Sequence, residues 1–192
     1  MMRRARAGLL YVLLAGSVSA SALEPTRAVT PPHTQSIHAG VQAPEAAGVL
    51  ISGQAPASVS ALRGRVLIVE FWASWCGPCV QSMPRLDALR GELRQAGYGE
   101  RFEVLGVGLD DTLDAARRFI EVHPVTFPVV VDTLGIASRQ YGVWRLPATF
   151  LIDHDGTIEQ IYHGYGEGFG DDLRQRALSL LQTPAESVGA AR

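Results

Sequence analysis

The 192-residue chain has no lysine, all 17 of its basic residues being arginine, and it has only two cysteines. The shortage of cysteine excludes the most. Cys76 and Cys79 stand three apart, so a bond between them closes almost no loop and cannot staple a fold. Zinc normally takes four ligands, and with no third cysteine and five scattered histidines no metal site is expected. No cysteine ends the apolar N-terminal run, which excludes a lipoprotein anchor. No repeat at solenoid periods is visible. A net charge of −2 lacks the basic excess that nucleic-acid binding calls for. The two cysteines are there to react.

Residues 1–22 read as a secretory signal peptide, with Arg3, Arg4 and Arg6 before an apolar run and Ala20-Ser21-Ala22 as the cleavage signal. The uncharged stretch 7–23 is also at the lower edge of what crosses a bilayer, so an uncleaved membrane anchor is the alternative. Either way the body is exported, into a periplasmic compartment where disulfides persist. Residues 23–45 are polar, carry several prolines and show no periodicity, as a linker does. The folded domain is expected over 46–184, and 185–192 form a tail.

The cysteine pair sits where a buried strand gives way to a helix. Residues 66–69, Val-Leu-Ile-Val, are continuously apolar, as in a strand covered on both faces. Val80, Met83, Leu86, Leu89 and Leu93 then recur at helical spacing. Cys76 therefore falls at a helix N-terminus, where unpaired N–H groups and the helix dipole favour a thiolate. Cys79 lies about one turn further in and is less open to solvent.

Trp75-Cys76-Gly77-Pro78-Cys79 behind a Val-Glu-Phe-Trp-Ala strand resembles the thioredoxin superfamily. Pro84, five residues after Cys79, is similar to the TlpA/ResA/DsbE branch of exported thiol–disulfide proteins. The resemblance covers roughly residues 46–182. It implies an α/β thioredoxin fold, a central mixed sheet flanked by helices, with a helix-bearing insertion between Asp110 and Tyr141. The helix after the cysteines is expected to run through Pro84 to about Ala96 and to end at Gly97-Tyr98-Gly99. Residues 49–51 and 57–62 are expected to form a small N-terminal strand pair. Strands follow at 102–108 and 127–131, and helices after Thr112 and from Ile136. Asp155-Gly156 turns a hairpin between strands 149–152 and 158–162, and a helix around Leu173, Ala177, Leu180 and Leu181 closes the domain.

Further residues carry chemistry. Pro147 leads into a strand, where a proline is tolerated. Most X–Pro bonds are trans, but the resemblance implies a cis bond at Leu146–Pro147 that faces the cysteine pair and presents the Leu146 backbone to a bound extended chain. Glu70 follows four apolar residues, where a carboxylate is costly to bury. It stands six residues before Cys76, the place of the buried acid in thioredoxins, which implies a raised pKa and proton exchange with the inner sulfur. A glutamate turned outward or paired with an arginine is the other reading. Asp110 and Asp111 match an acidic position of ResA-like proteins, although two adjacent acids before a helix are more often plain caps. Trp72 suits the core, and Trp75 the rim beside Gly77 and Pro78, where a partner would bind. Trp144 is notable only for lying near Pro147.

The expectation is a thiol–disulfide oxidoreductase acting on exported proteins. Cys76 is the nucleophile, Cys79 the resolving thiol and Glu70 the acid/base, with Trp75, Gly77, Pro78, Leu146 and Pro147 contacting the partner. The resemblance implies disulfide-bearing partners such as apocytochrome c and a membrane thiol carrier as electron donor, with no organic cofactor and no metal. A disulfide oxidase or isomerase is the second reading. A copper chaperone using the pair with His154 or His163 is the third.

Overall fold

The computed structural model describes residues 36–183; the signal or anchor segment and the tail lie outside the described residues. A six-stranded mixed sheet runs in the order β1-β4-β3-β2-β5-β6. At its centre β2 (Val66–Trp72) pairs parallel with β3 (Phe102–Gly108) and antiparallel with β5 (Ala148–Ile152). All seven residues of β2 are buried, as its unbroken apolar run requires. β4 (Val129–Val131) lies parallel to β3, β1 (Val49–Ser52) closes one edge and β6 (Ile158–His163) the other.

The strands' period of two assigns their side chains to two cores. Val66, Ile68 and Trp72 face α1 (Cys79–Leu93), α2 (Leu113–Val122) and α4 (Phe169–Gln182). Leu67, Val69 and Phe71 face the other way, onto α3 (Ile136–Gln140) and the segment before β2. Glu70 falls by this alternation on the α1 side. The inserted segment supplies α2, β4 and α3, so it extends the sheet as well as adding helices.

Pro84 lies inside α1 without ending it. The helix closes at Leu93 and passes into a wider turn to Tyr98, with Gly97 in the left-handed region at φ 91°. Thr112, and neither Asp110 nor Asp111, caps α2, its hydroxyl accepting from the Ala115 N–H at 3.3 Å. In the hairpin Gly156 takes φ 93°, and the Asp153 carboxylate accepts from the N–H groups of Asp155 and Thr157.

Two expectations need correction. Residues 57–62 do not form a strand beside β1; Ser60–Leu62 is a single 3-10 turn, and the partner of β1 is β4. Val59 and Leu62 are buried three apart, which is helical spacing, and the Ser58 hydroxyl bonds the Ala61 N–H. The described part of the expected linker is docked as well. Gly40 donates to the Ile158 carbonyl at 2.8 Å, Ala43 to that of Gly156 at 2.9 Å, and Ala43 and Ala46 are buried. Backbone pairing holds this segment, which apolar periodicity could not reveal.

Candidate active site

Parallel strands β2, β3 and β4 deliver their C-terminal ends to one end of the sheet, and the antiparallel β5 begins there. Cys76, Asp110 and Pro147 are carried to that end on three separate strand termini. Cys76 and Cys79 form a disulfide, with Cα atoms 5.4 Å apart. The Cys79 N–H donates to the Cys76 carbonyl at 3.1 Å, so Cys76 sits just ahead of the first turn of α1. Cys79 is fully buried and Cys76 is 5% exposed, so the outer sulfur too is largely shielded in the oxidised state. What faces solvent is the rim: Gly77 and Pro78 are exposed, and Trp75 is 72% exposed. Trp72, by contrast, is wholly buried and stacks on Phe119 at 4.8 Å.

The Leu146–Pro147 peptide bond is cis. The Gly164 N–H donates to the Pro147 carbonyl at 2.7 Å, which ties this corner to the end of β6. Among the described residues the Leu146 N–H and C=O have no backbone partner. Trp144 stands 72% exposed on the same corner, its ring 5.0 Å from that of His163.

Glu70 is fully buried, which settles its orientation against the outward and arginine-paired readings. Ser82 Oγ donates to Glu70 Oε1 at 2.6 Å and Thr149 Oγ1 to Oε2 at 2.5 Å. Desolvation pushes its pKa up to about 7, against the opposing pull of the two hydroxyls. The other buried acids each have a visible structural duty. Glu103 pairs with Arg90, Asp132 caps α3 through the N–H groups of Ile136 and Ser138, and Asp153 holds the hairpin turn. Asp110 accepts from the Ser74 N–H at 3.1 Å and from its hydroxyl at 2.5 Å, fixing the loop two residues before Cys76. Glu70 alone among them has neither a cation nor a backbone amide.

The residues that sequence reasoning missed are Ser82 and Thr149. Ser82 lies three residues after Cys79, on the same face of α1, and this spacing was the available signal. Thr149 is opposite Glu70 in the β2–β5 register, which only the fold discloses. Among the described residues no group of three or more histidine, cysteine, aspartate or glutamate side chains is placed to hold a metal ion. His154 follows β5 at the far end of the sheet from the disulfide, so it cannot share a ligand with the cysteines.

Comparison with known proteins places the chain in a family. The AhpC/TSA family model matches residues 39–161. The thioredoxin-like protein YneN of Bacillus subtilis is 28% identical over 167 residues, 85% of this chain and 92% of that protein. The thiol-disulfide oxidoreductase ResA of Bacillus thuringiensis is 33% identical over 102 residues, which is 53% of this chain. That match spans 57% of ResA, little more than half its length. A Chlorobium tepidum structure described as a thiol:disulfide interchange protein DsbE is 32% identical with a TM-score of 0.67, covering 76% of this chain and 99% of its own. A buried strand leading to a Cys76–Cys79 disulfide, a six-stranded mixed sheet and these likenesses converge: the chain belongs to the AhpC/TSA family and is a thioredoxin-fold thiol–disulfide oxidoreductase of the ResA/DsbE type.

Proposed function

We propose that the protein is a periplasmic reductant of disulfides in exported proteins, acting in cytochrome c maturation on the haem-site cysteines of apocytochrome c. The observation that carries the reading is the Glu70 carboxyl, buried with two hydroxyls but no cation or backbone amide, beside the helix of Cys79. The Cys76 thiolate attacks one sulfur of the partner disulfide, forming a mixed disulfide and releasing the other sulfur as a thiolate that takes a proton from water. Glu70 accepts the Cys79 proton, and the Cys79 thiolate attacks the Cys76 sulfur. The Cys76–Cys79 disulfide forms as the bond between Cys76 and the partner breaks, the second partner sulfur leaves as a thiolate that takes up a proton, and two electrons have passed to the partner. The pair carries both electrons, so the scheme calls for no organic cofactor.

Trp75, Gly77 and Pro78 form one wall for the incoming chain. Leu146 and Pro147 form the other, and the unbonded N–H and C=O of Leu146 suit an extended backbone of any sequence. A membrane thiol carrier restores the dithiol, because the exported compartment holds no reducing pool. The export reading rests on the signal-like residues 1–22. No described helix is long and apolar enough to cross a membrane.

The test is a peptide carrying the haem-attachment pattern C-x-x-C-H as an internal disulfide, mixed with the reduced protein and then alkylated for mass spectrometry. One Cys76–Cys79 disulfide is expected for each peptide disulfide opened. A peptide that stays oxidised beside a protein that stays reduced would remove this substrate class.

A further inference from the structure

Buried hydroxyls need partners, and both hydroxyls at Glu70 spend theirs on one carboxyl group. Ser82 comes from α1, the helix that begins with Cys79, and Thr149 from β5, two residues after Pro147. All three residues have no exposed surface. Each carboxyl oxygen receives one donor, an arrangement that holds the plane of the group fixed between helix and strand. From β3 the residue in register is Gly106, which contributes no side chain. On β2 itself the same-face neighbours are Ile68 and Trp72. Among the described residues the titratable groups that face this place from the packed elements are the Cys79 thiol that reduction creates and, opposite Thr149 on β6, Tyr162, whose hydroxyl donates to Asp172 rather than to Glu70. No charged neighbour contributes to the proton affinity of Glu70.

The two hydroxyls differ in what they can do when Glu70 takes a proton. A protonated oxygen becomes a donor, so the hydroxyl facing it must accept and send its own proton elsewhere. Ser82 Oγ has a second acceptor within reach, the Cys79 carbonyl at a long 3.5 Å. No second acceptor stands beside Thr149 Oγ1 among the bonds of the described residues. Only on the Oε1 side, toward α1, does the facing hydroxyl have another acceptor to which it can turn.

We infer that Ser82 and Thr149 are positioning residues of the resolving step, gripping the two oxygens of Glu70 so that the one facing α1 receives the Cys79 proton. The inference rests on the reading of Glu70 as the proton acceptor. Ser82 is the movable partner: its hydroxyl donates to Glu70 before the transfer and to the Cys79 carbonyl after it. Thr149 is the fixed partner and keeps Oε2 anchored to the sheet. Both donors favour the carboxylate form, so losing either raises the affinity of Glu70 for its proton.

The experiment is an infrared titration of the glutamate carboxyl band in the oxidised protein, where no thiol titrates and Glu70→Gln identifies the band. It is paired with the pH profile of mixed-disulfide resolution in the reduced protein. Ser82→Ala and Thr149→Val are each expected to raise proton affinity about tenfold, the size of one hydrogen bond to a charged group. The resolution profile should move to higher pH with it. Ser82→Thr and Thr149→Ser, which keep the hydroxyl, should restore both readouts. A midpoint unmoved in Ser82→Ala and Thr149→Val, with Glu70→Gln still slow in resolution, overturns this inference alone. A midpoint that moves while resolution is indifferent both to it and to Glu70→Gln overturns the pair's part in catalysis together with that of Glu70.

Discussion

Replacing Cys76 by serine is expected to abolish disulfide exchange, whereas Cys79→Ser should still attack partners and halt at the mixed disulfide. The asymmetry follows from where the helix begins. Cys79 is the first residue of α1 and is wholly covered, while Cys76 precedes the first turn beneath a rim of Trp75, Gly77 and Pro78. On the proposed reading the sulfur next to that rim meets the partner, and the inner sulfur then displaces it. Serine at 76 supplies no thiolate at neutral pH, so exchange should fall to the uncatalysed background. Serine at 79 leaves nothing to break the bond between Cys76 and the partner, so covalent complexes should accumulate and be visible on a non-reducing gel. Brief iodoacetamide labelling of the reduced protein checks the assignment independently. Cys76 should be modified first, and faster labelling of Cys79 would reverse the roles.

Glu70→Gln is expected to slow resolution roughly 10²-fold near neutral pH, within the range for loss of a positioned acid/base, and to leave the first attack almost unchanged. Glutamine keeps the size and can still meet the Ser82 and Thr149 hydroxyls, but it cannot take a proton. The same substitution has a signature in stability. The folded pKa of Glu70, about 7, lies above its ordinary value of 4.5, so between these pH values the folded protein holds a proton that the unfolded chain releases. Stability must therefore fall as pH rises through that window, by roughly 3 kcal/mol, and the contribution is complete only below pH 4.5. Urea unfolding of the oxidised protein at pH 4.5 and pH 8 should show that loss in the native sequence and a much smaller one in Glu70→Gln. Unaltered turnover of Glu70→Gln across pH 6–9 would leave Glu70 a structural residue.

The strand-to-helix junction at the cysteines, the Asp155-Gly156 hairpin and the core β3 strand were legible because each is written in local pattern: an apolar run, a turn dipeptide, an alternation broken by glycine. Glu70 was legible for the opposite reason, as a charge where the pattern forbids one. Its partners were not. Ser82 and Thr149 lie 12 and 79 residues away, and serine and threonine have many uses in any chain. The edge of the sheet was also illegible. Short β1 meets β4 across some 80 residues, and nothing in Val-Leu-Ile-Ser specifies that partner. Residues 57–62 misled because Val59 and Leu62 read as part of a strand while their spacing of three belongs to a turn of helix. Asp110 could be read only as one of two equivalent acids, since its separation from Asp111 depends on Ser74, which lies 36 residues earlier.

The direction of electron flow decides whether the protein reduces its partners or oxidises them, and it turns on how strongly the Cys76 thiolate is stabilised. The first turn of α1, Cys79-Val80-Gln81-Ser82, carries no charged side chain, and Gly77 and Pro78 add neither histidine nor lysine between the sulfurs. The N–H groups of Cys79, Val80, Gln81 and Ser82 are already bonded to backbone carbonyls of residues 76–78. The thiolate is thus held by modest means, and the reduced form should give up its electrons readily. Thioredoxin, which shares Gly-Pro between its cysteines, lies at about −270 mV and the oxidant DsbA at about −120 mV, a gap of roughly 7 kcal/mol for two electrons. Equilibrating the protein against glutathione buffers and counting free Cys76 and Cys79 by alkylation measures the potential directly. The account predicts a value nearer thioredoxin than DsbA; one more oxidising than about −180 mV, that of protein disulfide isomerase, would contradict it and make the protein an oxidase.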